Sequence, residues 1–246
     1  MLVASVPLAP PPAAHALQPT AGACEAPTPL LQFRAPLTRT AARIAAKDTV
    51  VIVAIGSSST AGSGASGPAA SYPARFEAAL RARLPRAAIK VINKGVPGEE
   101  ASDMIARFPR DVFDQKPDLV VWQLGTNSVI RNRSLTDYTS LIRSGLRQIK
   151  ARGIDVIVMN PQYAPKVLDA PEHQEMLRLI DAAALSEGVP VFRRYDIMRH
   201  WLSVGPLTFQ DILSPDGLHL NDWSYDCIGR LLADAVVAVL KPPRAD

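Results

Sequence analysis

Five short apolar runs, rich in β-branched residues, punctuate the chain: Val50–Ile55, Ile89–Asn93, Leu119–Leu124, Ile154–Met159 and Val189–Phe192. The first is continuous rather than alternating, the pattern of a strand buried on both faces, and Leu119–Leu124 reads as buried too. Segments with helical spacing lie between them. Ala70–Leu84 puts Phe76, Leu80 and Leu84 on one face. Thr136–Ala151 is amphipathic, with Thr136 or Ser134 as candidate cap and Gly153 as stop; Glu172–Glu187 stops at Gly188, and Trp223–Leu240 closes the pattern. Ala101–Phe108 predicts a shorter helix, and an irregular loop runs from Trp201 through Leu213. Strands alternating with helices predict an α/β fold, a three-layer α/β/α sandwich around a five-stranded parallel sheet. Right-handed crossovers then fix most of the topology.

Composition changes this picture little. The chain has 246 residues, 48% hydrophobic and 20% charged, enough for one large domain with a full core. Its 27 basic and 23 acidic side chains leave a net charge of +4. The basic residues are scattered and little interleaved with aromatics, which argues against nucleic acid as a partner. No apolar stretch reaches the roughly 18 residues of a membrane span.

The amino-terminal segment is rich in Ala and Pro. Leu2–Ala9 resembles the remnant of an apolar signal region and Ala14-His15-Ala16 a small-x-small cleavage site, although a basic start is missing. Export to the periplasm or outside is the expectation, a cytoplasmic protein with a disordered leader the alternative. Leu30–Lys47 reads as an arm packing across the domain. Cys24 and Cys227 fit no metal spacing. They are either a disulfide between the extension and the last helix, as export permits, or two unrelated thiols.

The polar residues of note all fall after a strand or before the last helix. Ser57, Ser58 and Ser59 follow the first strand, Gly98 the second and Asn127 the third, while Asp216 and His219 precede the closing helix. In a doubly wound sheet these strand ends share one edge. Acyl transfer needs a serine activated by a histidine, a carboxylate to orient that histidine, and N–H donors for the oxyanion. A helical turn would bring Asp216 and His219 to the same side. Asn127 offers an amide, Gly98 and the serines backbone N–H groups.

With these residues in view, the chain resembles the SGNH (GDSL-type) hydrolase superfamily. VAIGSSSTAG stands where that family has a strand followed by G-D-S-L-T-x-G. NKGVPGEE is similar to its N-x-G-x-x-G block, LGTN to its G-x-N block and SPDGLHLN to its D-x-x-H block. The resemblance runs from Val50 to the carboxyl end and implies a flavodoxin-like hydrolase domain over residues 47–246, with 1–46 as leader and extension. It implies Ser58 as nucleophile, with Ser59 as fallback, and Asp216 and His219 as its triad partners. Gly98 and Asn127 become oxyanion donors beside the Ser58 N–H. The implied activity is ester hydrolysis, on an acetylated carbohydrate or another small acyl ester, with no cofactor and no metal. Ser57 and Ser128 depart from the family, which favours Asp at both positions.

Other features are weighed against this. Trp122, Gln123, Gln162 and Tyr163, at the ends of the third and fourth strands, are candidate substrate-lining residues, with ordinary core and turn positions standing as an equal alternative. Gly62–Gly67 matches G-x-G-x-x-G, but it lies six residues beyond the strand and Pro68 follows it. It reads as a flexible lip, not a dinucleotide or phosphate loop. His15, His173 and His200 stand apart from the other polar groups. A non-catalytic carbohydrate-binding module on the same fold is the competing function, motivated by Ser57.

Overall fold

The computed structural model describes residues 24–240; the leader, His15 and the candidate cleavage site lie outside them. Two helices come first, α1 (Thr28–Leu31) and α2 (Thr38–Ala45), then β1 (Val50–Gly56), α3 (Ser58–Ala61), α4 (Tyr72–Arg83) and β2 (Ile89–Gly95). There follow α5 (Ala101–Ala106), α6 (Phe108–Asp111), β3 (Leu119–Gln123), α7 (Thr126–Ile130), α8 (Tyr138–Lys150) and β4 (Asp155–Met159). The remainder is α9 (Pro165–Leu168), α10 (His173–Ser186), β5 (Val191–Phe192), α11 (Arg194–Val204), α12 (Phe209–Ile212) and α13 (Asp222–Leu240).

The strands form one sheet in the order β2-β1-β3-β4-β5, and every pairing is parallel. The register follows from burial. Along β1, Val50, Ile52 and Ala54 face a layer built by α4, α11 and α13, with Phe76, Trp201 and Ile228. Val53 and Ile55 face the opposite layer of α5, α8 and α10, with Met104, Leu146 and Ile180. Both faces of β1 are therefore covered, and this is why its sequence does not alternate, whereas β2 at the sheet edge stays partly exposed. The α/β/α architecture is the one expected from the pattern.

Two expectations about helices change. Neither Ser134 nor Thr136 caps α8: their hydroxyls bond each other at 2.9 Å and Asp137 occupies the cap position without a side-chain bond. The stretch from Trp201 through Leu213, expected to be an irregular loop, instead holds the end of α11, up to Val204, and the single turn of α12.

The segment before β1 joins the same core. Cys24 and Leu37 are buried with the β1 face, and Cys24 is disulfide-bonded to Cys227 of α13 across 203 residues of sequence, which decides between the two readings of the cysteines. Helix α2 sits at the amino ends of β3 and β4. There Thr40 donates through N and Oγ1 to Asp155 Oδ2, each at 2.8 Å, and Arg39 Nε donates to the buried Asp118 at 2.9 Å. Among the described residues, no helix is long and apolar enough to cross a membrane.

Candidate active site

The carboxyl ends of the strands carry the polar groups. Strand β1 stops at Gly56, and the chain turns through Ser57 into the single turn of α3, which starts at Ser58. Ser57, Ser59 and Thr60 are buried, whereas Ser58 is half-exposed. The turn is held from below by Gln123 at the end of β3. Its Oε1 accepts hydrogen bonds from Ser57 N at 2.9 Å, Ser57 Oγ at 3.1 Å and Thr60 Oγ1 at 3.2 Å.

His219 Nε2 lies 2.8 Å from Ser58 Oγ, and His219 Nδ1 lies 2.5 Å from Asp216 Oδ2. The hydroxyl is thus in reach of one ring nitrogen while the carboxylate accepts from the other. The D-x-x-H segment is not helical. Leu213 and Leu220 pair in an antiparallel bridge, and Asp216 Oδ1 caps the enclosed loop by accepting from Leu218 N and His219 N at 2.9 Å and Ser214 Oγ at 2.8 Å. Burial alone would raise the Asp216 carboxyl. The hydrogen bonds from the His219 ring, the two backbone N–H groups and Ser214 outweigh it and hold the group well below the usual carboxylate range.

The second and third blocks meet beside Ser58's strand. Gly98 has φ +82°, a left-handed turn that favours glycine. Asn127, early in α7, donates from Nδ2 to Glu99 O at 2.7 Å, which leaves the amide's second N–H for another acceptor. Arg107, almost fully buried, clamps this loop: its guanidinium donates to Glu99 Oε2 at 2.7 Å, Lys94 O at 2.8 Å and Gly56 O at 3.3 Å. Ser128, one of the departures from the family pattern, is buried and donates to Glu100 Oε2 at 3.2 Å.

Three of the four candidate substrate-lining residues need correction. Trp122 is wholly buried, its ring edge-on to Phe108 and its Nε1 3.3 Å from Met104 Sδ, so it belongs to the core. Gln123 and Gln162 are also buried: the Gln123 oxygen is taken up by the Ser57–Thr60 turn, and both ends of the Gln162 amide make internal hydrogen bonds. Tyr163 alone keeps surface, stacked on Phe209 at 5.6 Å. Phe209 in turn lines a cleft of ≈ 320 Å³ with Pro165, Leu213, Ser214, Pro215 and Gly217, flanking Asp216.

The glycine-rich lip is pinned rather than flexible. Ser66 donates through N and Oγ to Asp222 at 2.7 and 2.5 Å, Tyr225 Oη donates to Ser63 O at 2.7 Å, and Gly64 packs on His219. His173 opens α10 against Tyr195 and His200 is half-buried on α11, both outside the cluster. Glu99 and Arg107 escaped the sequence reading because their partners lie on other elements, Asn127 of α7 for Glu99 and the ends of β1 and β2 for Arg107; the local trace is Glu99's place next to Gly98. Among the described residues, no group of three or more His, Cys, Asp or Glu side chains is placed to hold a metal ion.

A parallel five-stranded sheet with these four blocks along its carboxyl edge defines an SGNH-type hydrolase. The chain belongs to the non-GDSL lipase-like family, whose model matches residues 23–242. An acetylxylan esterase of Geobacillus stearothermophilus is 32% identical over 120 residues, 45% of this chain and 53% of its own length. Esterase TesA of Pseudomonas aeruginosa is 26% identical over 137 residues, 53% of this chain and 61% of its own. The chain thus spans between half and two thirds of these curated relatives. Among solved structures, a two-domain esterase active on acetylated mannans superposes with a TM-score of 0.71 at 20% identity, over 84% of this chain and 54% of that one. An acetyl xylan esterase from Geobacillus stearothermophilus gives 0.67 at 23%, over 76% and 94%. At such identities the likeness to these structures concerns the fold.

Proposed function

We propose that the protein is a serine esterase that removes acetyl or other short acyl groups, with an acetylated carbohydrate as its substrate class. The observation that carries this reading is the continuous contact from Ser58 Oγ through the His219 ring to Asp216 at 2.8 and 2.5 Å. In the proposed reaction His219 Nε2 takes the Ser58 proton as Oγ attacks the acyl carbon. Asp216 holds the imidazole's orientation and stabilises its charged form. The Ser58 N–H, the Gly98 N–H and the second N–H of Asn127 receive the oxyanion, each such donor worth roughly 3–4 kcal/mol of barrier. His219 then gives its proton to the leaving alkoxide. Water, deprotonated by the same ring, attacks the acyl-enzyme and releases acid and free serine. The names of the acetylxylan and acetylmannan esterases among the similar proteins support the substrate class. The Cys24–Cys227 disulfide supports an oxidising, exported location.

Ser58 is preferred to Ser59 because Ser59 Oγ is buried away from the ring. Turnover of 4-nitrophenyl acetate and labelling by a fluorophosphonate probe test the reading. Wild type and Ser59→Ala are expected to be active and labelled, and Ser58→Ala to lose at least ~10³-fold in kcat together with the label. A wild type that neither turns over nor labels would instead support the non-catalytic binding module. Acetylated xylan and mannan oligosaccharides, set against long-chain esters, test the substrate class.

A further inference from the structure

Gln162 lies in the stretch after β4, nearly inaccessible to solvent, yet three distant segments converge on its amide. Oε1 accepts from Thr126 Oγ1 at 2.9 Å and from Arg194 Nη2 at 2.8 Å, while Nε2 donates to Leu218 O at 3.3 Å. Thr126 immediately precedes Asn127, and Leu218 immediately precedes His219. One side chain therefore touches the backbone neighbours of both the amide proposed to receive the oxyanion and the proposed base.

The amide's orientation is forced. A guanidinium can only donate, so the oxygen faces Arg194, where it also accepts from the Thr126 hydroxyl, and the nitrogen is left for the Leu218 carbonyl. Arg194 is itself fully buried and donates from Nε to Asn160 O at 3.1 Å. Among the described residues it has no carboxylate partner. The peptide between Leu218 and His219 is consequently gripped at both ends, its carbonyl by Gln162 and its N–H by Asp216 Oδ1 at 2.9 Å. That peptide sets where the His219 ring begins.

We infer that Gln162 is a positioning residue that fixes the His219 turn relative to the Asn127 turn; the inference rests on the esterase reading above. Its work is geometric: it keeps the proton-transfer side and the oxyanion side of the site in one register, and it touches no reacting atom. Misplacement by about 1 Å of groups arranged in this way costs on the order of 10²-fold in rate.

The test separates position from folding. Gln162→Glu keeps shape and the two bonds at Oε1 and gives Arg194 a counter-ion. It replaces the N–H facing Leu218 O by a second oxygen. The expected result is a Tm unchanged or raised, KM within about twofold and kcat on 4-nitrophenyl acetate lowered roughly 10- to 100-fold. A kcat within twofold of wild type overturns the inference. If Gln162→Glu loses Tm and kcat together, Thr126→Val decides. A kcat fall of roughly fivefold at wild-type Tm sustains the coupling, and an unchanged kcat overturns it. An inert wild type would count against the esterase reading itself, whereas an active wild type with an unaffected Gln162→Glu counts against this inference alone.

Discussion

Gly64 presses against His219 so closely that a β-carbon at position 64 would lie 2.8 Å from the His219 Cβ and 2.6 Å from Leu220 O. Gly64, beyond the Ser58 turn, thus forms the wall behind the proposed base. Its φ of +87° adds a second demand for glycine. Gly64→Ala is expected to lose about 1–3 kcal/mol of stability from backbone strain and contact. It should lower kcat at least tenfold by moving the ring from Ser58. Thermal melts and steady-state kinetics on one preparation check both.

Trp122 provides the contrasting case. Because it fills the core between Phe108 and Met104, Trp122→Ala is expected to cost about 3–5 kcal/mol. Trp122→Phe should be milder and leave KM for small esters unchanged. Denaturant titration and KM for both variants test this, and a KM change in a stable Trp122→Phe would return the residue to the pocket.

The strand pattern and the four blocks were legible because buried parallel strands are written as unbroken apolar runs, and because the reactive groups sit at fixed offsets from them. Trp122, Gln123 and Gln162 stayed undecided between pocket and core for one reason. A polar or aromatic residue at a strand's carboxyl end can point outward to a ligand or inward to a turn, and local sequence does not distinguish the two. The partners that pull them inward lie 66 residues away for Gln123 with Ser57 and 56 for Gln162 with Leu218. The D-x-x-H block was found, but its shape was not: Asp216 closes its own loop through backbone N–H groups, which a helical reading of the spacing missed.

Acid should bear differently on two depressed carboxylates, one read through stability and the other through activity. Asp111 is held well below the usual range by hydrogen bonds from Arg110, with Arg107 and Lys94 adding to them against the opposing effect of burial. A carboxyl depressed in the folded state contributes stability above its unfolded value of about 3.9, and that contribution is lost as pH falls through the folded value. Asp111→Asn is therefore expected to lower Tm at neutral pH and to converge on wild type in strong acid. Asp216 is depressed in the same sense. It stays ionised throughout any practical assay and should add no second proton to the acid limb of the kcat/KM profile, which is expected to have unit slope.

The Cys24–Cys227 bond closes a loop of 203 residues in sequence separation. Such a closure is worth about 2–5 kcal/mol, or roughly 5–15 °C in Tm for a domain of this size. Cys24→Ser and Cys227→Ser are each expected to show that loss, and a reductant should produce it in wild type but no further change in either variant. Calorimetry with and without dithiothreitol is the measurement.

Helix α2 is anchored by Asp118 and Asp155 at the amino ends of the strands, while Ser58, Asn127 and His219 occupy the carboxyl ends. The exposed Lys47, just beyond α2, is consequently a natural point of attachment. Coupled to a bead or an electrode there, the molecule would stand with Ser58 and His219 turned outward, away from the support.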